Sequence, residues 1–388
     1  MNFINPYLIV VFLMCCCFSF SYGQSETSTD FRKTVITRDF ISEGVAAADL
    51  NRDGLTDVIA GYYWFEAPYW VRHEMAPSRR YNPREEYCES FLNMTMDVDL
   101  DGWEDVIIIG YPGTPAIWLK NPMNKTEVWK KHIIANGVGI ANESPAFIDI
   151  DGDGRLDILC GDVDEKQIVW LQAPLKNGET EWSRFALSTK NVPGTERFSH
   201  GIGYGDINND GADDVVIADG WFEGKIDRKS GDWKFHATPI SEPCSHMQIL
   251  DVNGDGANDV VSASAHKLGV WWHEKRGNSF ETHLISETTT QTHSSIMVDL
   301  NGDGNKDFVT GKRFLAHNGN DPGDEDAPIL FWTEFTPKTV PYYKEHFIDA
   351  DSGAGLNIAI ADMNKDEKPD IVIASKNGVF VLENRISK

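Results

Sequence analysis

Apolar and polar positions along this 388-residue chain follow a repeating pattern, in which short β-branched runs enter and leave acidic loops at near-regular intervals. The clearest instance is residues 297–311, MVDLNGDGNKDFVTG, where Asp299, Asn301, Asp303 and Asp307 stand at offsets 0, 2, 4 and 8 and Gly304 follows the third. Alternate short oxygen side chains at this spacing converge on one hard cation. The glycine permits the tight turn, and the final Asp returns a carboxylate from the start of the next run. A helix-flanked calcium loop would close with a glutamate at its twelfth position; here apolar runs lead in and out, so the loop joins two strands.

The motif occurs seven times. Its expected calcium ligands are Asp49, Asn51, Asp53 and Asp57; Asp97, Asp99, Asp101 and Asp105; Asp149, Asp151, Asp153 and Asp157; Asp206, Asn208, Asp210 and Asp214; Asp251, Asn253, Asp255 and Asp259; the four at 299–307; and Asp362, Asn364, Asp366 and Asp370. The seventh loop has Glu367 in place of glycine, which predicts the most strained turn of the set. The loops start 48, 52, 57, 45, 48 and 63 residues apart, a period that suits a four-stranded blade.

Each repeat contains four apolar runs, A to D. Run A enters the acidic loop and B leaves it. C carries a pair such as Trp64-Phe65, Trp118-Leu119, Trp170-Leu171, Trp221-Phe222, Trp271-Trp272 or Phe331-Trp332. D often places His three residues after an aromatic, as in Trp70 with His73, Trp129 with His132, Trp233 with His236, Phe280 with His283 and Tyr343 with His346. The seventh repeat stops after its C run, NGVFVLENRISK, while FRKTVIT at 31–37 precedes the first A run and reads as a spare D run. Sewing that N-terminal strand onto the last blade would close the ring and remove open edges. The expected fold is therefore all-β, a seven-bladed β-propeller of four-stranded antiparallel blades forming one domain over 24–388.

These loops with their following B runs resemble FG-GAP/VCBS repeats, as in the propeller of integrin α-chains and in exported bacterial proteins. The resemblance implies the propeller fold and calcium in the loops. The C-to-D phrases WFEAPYWVRH and WLKNP…WKKH are more similar to the carbohydrate-active branch that includes aldos-2-ulose dehydratase and exported oligosaccharide dehydratases and lyases.

Composition narrows the setting. Residues 1–23 are almost uncharged and apolar from Tyr7 to Phe20, which reads as a signal peptide of an exported protein; Cys15, Cys16 and Cys17 offer a lipid anchor as a lesser option. No later apolar stretch is long enough to span a membrane. Cys88, Cys160 and Cys244 are too few and too scattered for a disulfide framework. The formal charge of −25 would fall to −11 with seven divalent ions bound, and either value excludes nucleic acid as an expected partner. A monomer is expected, and the resemblance to the carbohydrate-active branch implies an acidic oligosaccharide or polysaccharide as its substrate.

Candidate chemistry emerges once the repeats are subtracted. Of eleven histidines, five recur at one D position and His273 lies within a C run, which assigns them to packing. His200, His246 and His293 precede their A runs, and His266 and His317 fall in B-to-C connections. All five positions belong to the ring face opposite the acidic loops. The A starts of the first three repeats carry Glu43, Glu89 and Glu143. This predicts a funnel of His and Glu, with a second, axial divalent metal held by His246 and Glu143.

The same face receives Tyr62, Tyr111, Lys267, Lys312 and Arg313, while Arg79, Arg80 and Arg84 lie in the D-to-A loop 77–87. The connection 312–328 could cover the funnel. His, Tyr, Arg and a metal suit β-elimination next to a carboxylate. His200 or His293 is the expected base, a neighbouring His (His246 or His266) or Tyr the acid, and Arg313 with the metal the clamp on the carboxylate. Arg79, Arg80, Arg84, Lys267, Lys312 and His317 are the expected substrate contacts. Loss of water would make the protein a dehydratase and loss of a sugar a polysaccharide lyase. The alternatives are a hydrolase using paired carboxylates and a calcium-dependent propeller that binds carbohydrate or protein without catalysis.

Overall fold

The computed structural model describes residues 27–125, 127–135, 143–338 and 341–387; the expected signal peptide and Cys15 to Cys17 lie outside the described residues. Seven four-stranded antiparallel sheets form in chain order, and no helix occurs among the described residues. The innermost strands are Val45–Ala48, Leu92–Met96, Ala146–Ile148, Ile202–Gly205, Gln248–Leu250, Ser295–Val298 and Ile358–Ala361. Phe31–Thr37 pairs antiparallel with Gly378–Asn384, so the N-terminal strand completes the seventh blade as expected.

The B strands, such as Asp57–Ala60 and Asp105–Ile109, are buried along their whole length because a blade has a neighbour on each face. Successive residues feed different interfaces. Val58 and Ala60 pack with Val372 and Val381 of the seventh blade, whereas Ile59 packs with Val106 and Ile108 of the second. Seven apolar clusters, one per blade-to-blade interface, form the core of the ring.

Each acidic loop is built around its first and last Asp. The first accepts the amide of the residue five positions on, as in Gly54 to Asp49 (2.8 Å) and Gly304 to Asp299 (2.9 Å). The last is fully buried. Its carboxylate accepts the amide of the loop's second residue, Leu50 to Asp57 at 3.0 Å, and one from the end of strand C, Ala67 to Asp57 at 2.9 Å. The loop glycines lie in the left-handed region, φ 85° to 92°, and Glu367 takes the same conformation at φ 65°, which locates the expected strain in the seventh loop.

Four of the five recurrent D-strand histidines have two contacts each, while His132 only stacks on Trp118. Their rings stack on the strand-C tryptophan, with centroids 4.3 Å apart for Trp64 and His73, 3.9 Å for Trp221 and His236, and 4.1 Å for Trp332 and His346. Their Nε2 atoms meet a glutamate two residues beyond that tryptophan: Glu66 (2.7 Å), Glu223 (2.7 Å), Glu274 (2.9 Å) and Glu334 (2.9 Å). In the second blade Lys120 replaces this glutamate, and its ammonium bonds Asp99 and, at 2.7 Å, Asp101. A protein cation thus occupies the carboxylates expected to hold calcium in that loop. Lys120→Glu is expected to raise the calcium stoichiometry of the protein by one, counted by calcium titration; an unchanged count would show that Lys120 does not substitute for an ion.

Candidate functional site

At the mouth opposite the acidic loops, a single guanidinium ties three blades together. Arg313 follows the B strand Asp307–Gly311 and is 1 % exposed. It donates to both carboxylate oxygens of Glu43, Nε at 2.7 Å and Nη2 at 3.0 Å, and through Nη1 to Glu143 at 2.9 Å. The guanidinium also lies 5.4 Å from the Phe91 ring centroid. Burial alone would raise the Glu43 pKa, but the charge and hydrogen bonds of Arg313 outweigh it and hold the carboxyl below its ordinary range. Arg313 is therefore not a free clamp for a substrate carboxylate: its hydrogen bonds go to two protein carboxylates.

Around this pair sit four imidazoles. Ring centroids are 4.7 Å apart for His200 and His266, 5.5 Å for His200 and His293, 5.6 Å for His266 and His293, and 4.9 Å for His266 and His317. Nδ1 of His317 bonds Asp321 at 2.7 Å, Nδ1 of His266 is 3.4 Å from the same oxygen, and Nδ1 of His293 faces the Gln291 carbonyl at 3.2 Å. Nε2 of His200 lies 3.8 Å from Glu143. The Nε2 atoms of His200 and His293 are buried with no hydrogen-bond partner among the described residues. Burial pushes His200 down to about 4, against the pull of Glu143, and His293 lower than its ordinary range, so both rings are neutral at pH 7.

The other expected residues are placed differently. His246 lies apart from the four: its Nε2 faces the Pro145 carbonyl at 3.3 Å, and its ring lines a cavity of about 520 Å³ among the innermost strands. The expected pairing of His246 with Glu143 around a metal is thus replaced by Glu143 with His200 and His293, whose ligand atoms lie within 4.8 Å of one another. Tyr62 and Tyr111 line a pocket of about 490 Å³ between the first two blades, together with Tyr87, Glu89 and Lys131. That places Glu89 on this pocket. Tyr87 connects the pocket to the mouth, with its ring 6.0 Å from the Arg313 guanidinium and 5.0 Å from the Lys376 ammonium.

The basic residues expected to hold substrate are mostly spoken for. Arg79 pairs with Glu86 (2.8 Å), Arg80 with Asp39 (3.0 Å), Arg84 with Glu325 (2.5 Å) and Lys267 with Glu242 (2.9 Å). Lys312 is fully buried, donates to Thr290 Oγ1 at 2.7 Å, and is held by burial at about 8. Lys376, 3 % exposed, donates to the Pro83 carbonyl (3.0 Å) and to Asn318 (2.7 Å). The connection 312–328 does reach across the mouth, for it carries His317, Asn318, Asp321 and Glu325. Asp321, Gln291 and Tyr87 are the residues sequence reasoning missed. Asp321 stands four residues after His317, a spacing that could have flagged it.

The fold and this site define a class: a closed seven-bladed β-propeller of acidic-loop hairpins with a histidine-lined mouth. More specifically, the chain carries FG-GAP-like repeats, with residues 97–160 and 251–310 matching the FG-GAP-like repeat model. No curated protein sequence matches it significantly. Among solved structures, BBS1N in its complex with ARL6DN is similar over 89 % of this chain and 92 % of that one, with a TM-score of 0.51 and 9 % identity. The exotype rhamnogalacturonan lyase YesX covers 94 % and 75 % (TM-score 0.47, 12 % identity). An Agrocybe aegerita lectin specific for non-reducing terminal N-acetylglucosamine covers 80 % and 81 % (TM-score 0.48, 16 % identity). These likenesses are likenesses of fold.

Proposed function

We propose that the protein is an exported carbon–oxygen lyase that carries out β-elimination on uronic-acid-containing oligosaccharides, releasing water as a dehydratase. The observation that carries this reading is the gathering of four imidazoles at one mouth, two with unpartnered buried Nε2 atoms, beside a tyrosine-lined pocket. No helix among the described residues is long and apolar enough to cross a membrane. Calcium in the acidic loops is part of the same proposal, as the stabiliser of an exported fold.

The carbon next to a carboxylate is weakly acidic, so its proton leaves only if a base is in place and the developing enediolate is neutralised. His200 suits the base. It is neutral, its lone pair is unused, and an incoming substrate carboxylate would raise its basicity as Glu143 already does. The proton passes to His200 Nε2, the C–H electrons form the new double bond, and the C–O bond on the neighbouring carbon breaks. The departing oxygen takes a proton from Tyr87 or a neighbouring imidazole. Sugar rings stack on Tyr62, Tyr87 and Tyr111 in the adjoining pocket. With Arg313, Lys312 and Lys376 buried and hydrogen-bonded within the protein, a divalent cation held by the mouth imidazoles beside Glu143 would supply Lewis acidity at the substrate carboxylate.

Incubation with saturated and unsaturated uronic oligosaccharides, followed at the enol-ether absorbance and by product mass, tests this. Loss of one water identifies a dehydratase and cleavage with a new double bond a polysaccharide lyase; no change over a broad panel would leave carbohydrate binding as the reading. His200→Ala is expected to slow turnover by about 100-fold or more with the fold intact, the range for removing a general base. Full activity in that variant would exclude His200.

A further inference from the structure

We infer that the mouth holds one divalent transition-metal ion on the ring nitrogens of His266, His293 and His317, with His200 and Glu143 beside it. This deepens the proposed elimination by naming what sets the positive charge at the substrate carboxylate; only that role, not the site, rests on that reading.

Ligand nitrogens of His266, His293 and His317 lie within 4.8 Å of one another, and Glu143, His200 and His293 form a second such group that shares His293. A tetrahedral ion with bonds of about 2.0–2.1 Å needs ligands about 3.4 Å apart, which small ring rotations supply. The outer atoms are already arranged for this. Asp321 takes Nδ1 of His317 and faces Nδ1 of His266, and the Gln291 carbonyl takes Nδ1 of His293, so that each ring is left with Nε2 as its free lone pair. A carboxylate or carbonyl on the far nitrogen is the usual support for a metal-bound imidazole, because it fixes tautomer and orientation.

Energetics favours an occupant. A buried Nε2 acceptor without a partner is destabilising because it has given up water and gained nothing in return, and His293 is 2 % exposed with that atom unpartnered. The nearest guanidinium, Arg313, is held by Glu43 and Glu143 and donates nothing to the rings. Imidazole ligands select zinc, nickel, copper, cobalt or iron over calcium and magnesium, which separates this site chemically from the acidic loops.

The full chain, stripped by chelation and resupplied with calcium to fill the loops, is titrated with zinc or cobalt(II) by calorimetry, and X-ray absorption is recorded on the cobalt form. One tight equivalent with a first shell of three imidazole nitrogens is expected. His293→Ala should weaken binding by at least about 100-fold and Asp321→Asn by about 10–100-fold, while His246→Ala leaves it unchanged. Absence of binding above the calcium loops, or binding equally tight in His266→Ala, His293→Ala and His317→Ala, would overturn the site. The wild-type absorption spectrum decides the matter even if a variant fails to fold. Elimination is assayed on the same samples: a bound ion without turnover keeps the site and removes the lyase reading, whereas turnover in protein that binds no ion removes the site.

Discussion

Arg313→Met is expected to destabilise the protein by about 3–5 kcal/mol, the cost of leaving buried carboxylates without their partner. Arg313 is 1 % exposed and Glu43 fully buried, and the bonds to Glu43 and Glu143 join residues 270 and 170 positions apart in sequence. Removing the guanidinium strands two carboxylates in a site with little water to replace it. Arg313→Lys should recover only part, because an ammonium cannot make the two-pronged bond to Glu43. Adding Glu43→Gln to Arg313→Met should restore part of the stability, since it removes one of the two uncompensated carboxylate charges and leaves Glu143.

The pH dependence has a definite sign. Glu43 is depressed below its ordinary value of 4.5, so the stability from this pair is fully present above that pH and is lost as pH falls below it. Denaturant midpoints across the three variants check the claim, and an Arg313→Met change under about 0.5 kcal/mol would refute the keystone role.

Exhaustive chelation is the second large effect. An ion bound only to the folded state stabilises it by about 2.7 kcal/mol at a hundredfold excess over Kd. The six loops in which no ammonium bridges two ligand carboxylates would together contribute about 16 kcal/mol, more than the whole stability of an ordinary domain. The chelated chain is therefore expected to lose most of its cooperative unfolding transition at 37 °C and to regain it with calcium. The buried final Asp of each loop shows why. Desolvation pushes Asp57 and Asp214 to about 6, Asp157 and Asp307 to about 7 and Asp105 to about 8, with the neighbouring loop carboxylates adding to the rise. A cation among them removes that penalty. Coincident thermal curves with and without chelator would dismiss calcium as a stabiliser.

Blade number, strand order and the closing strand at Phe31–Thr37 were all readable from the chain, because each depends on local periodicity: an eight-residue loop spacing, runs buried on both sides, and a D run missing at one end and spare at the other. Subtraction of the repeats likewise isolated His200, His266, His293 and His317, since a ring of equivalent hairpins constrains which loops share a face. The glutamate partners of four D-strand histidines also stand in the sequence, two residues after Trp64, Trp221, Trp272 and Trp332.

Pairing across the mouth was beyond that reach. A ring of seven blades brings the sixth beside the first and third at the axis, but nothing in the spacing says which charges there neutralise one another. Only the packed ring turned Arg313 from a substrate clamp into a bond between Glu43 and Glu143, moved His246 into the shaft, and brought Asp321 from an acidic connection onto two imidazoles. Local hydrogen bonding and burial pattern shape each blade, so the chain announces them; the direction and partnership of side chains from distant blades depend on how those blades close, and are settled only in three dimensions.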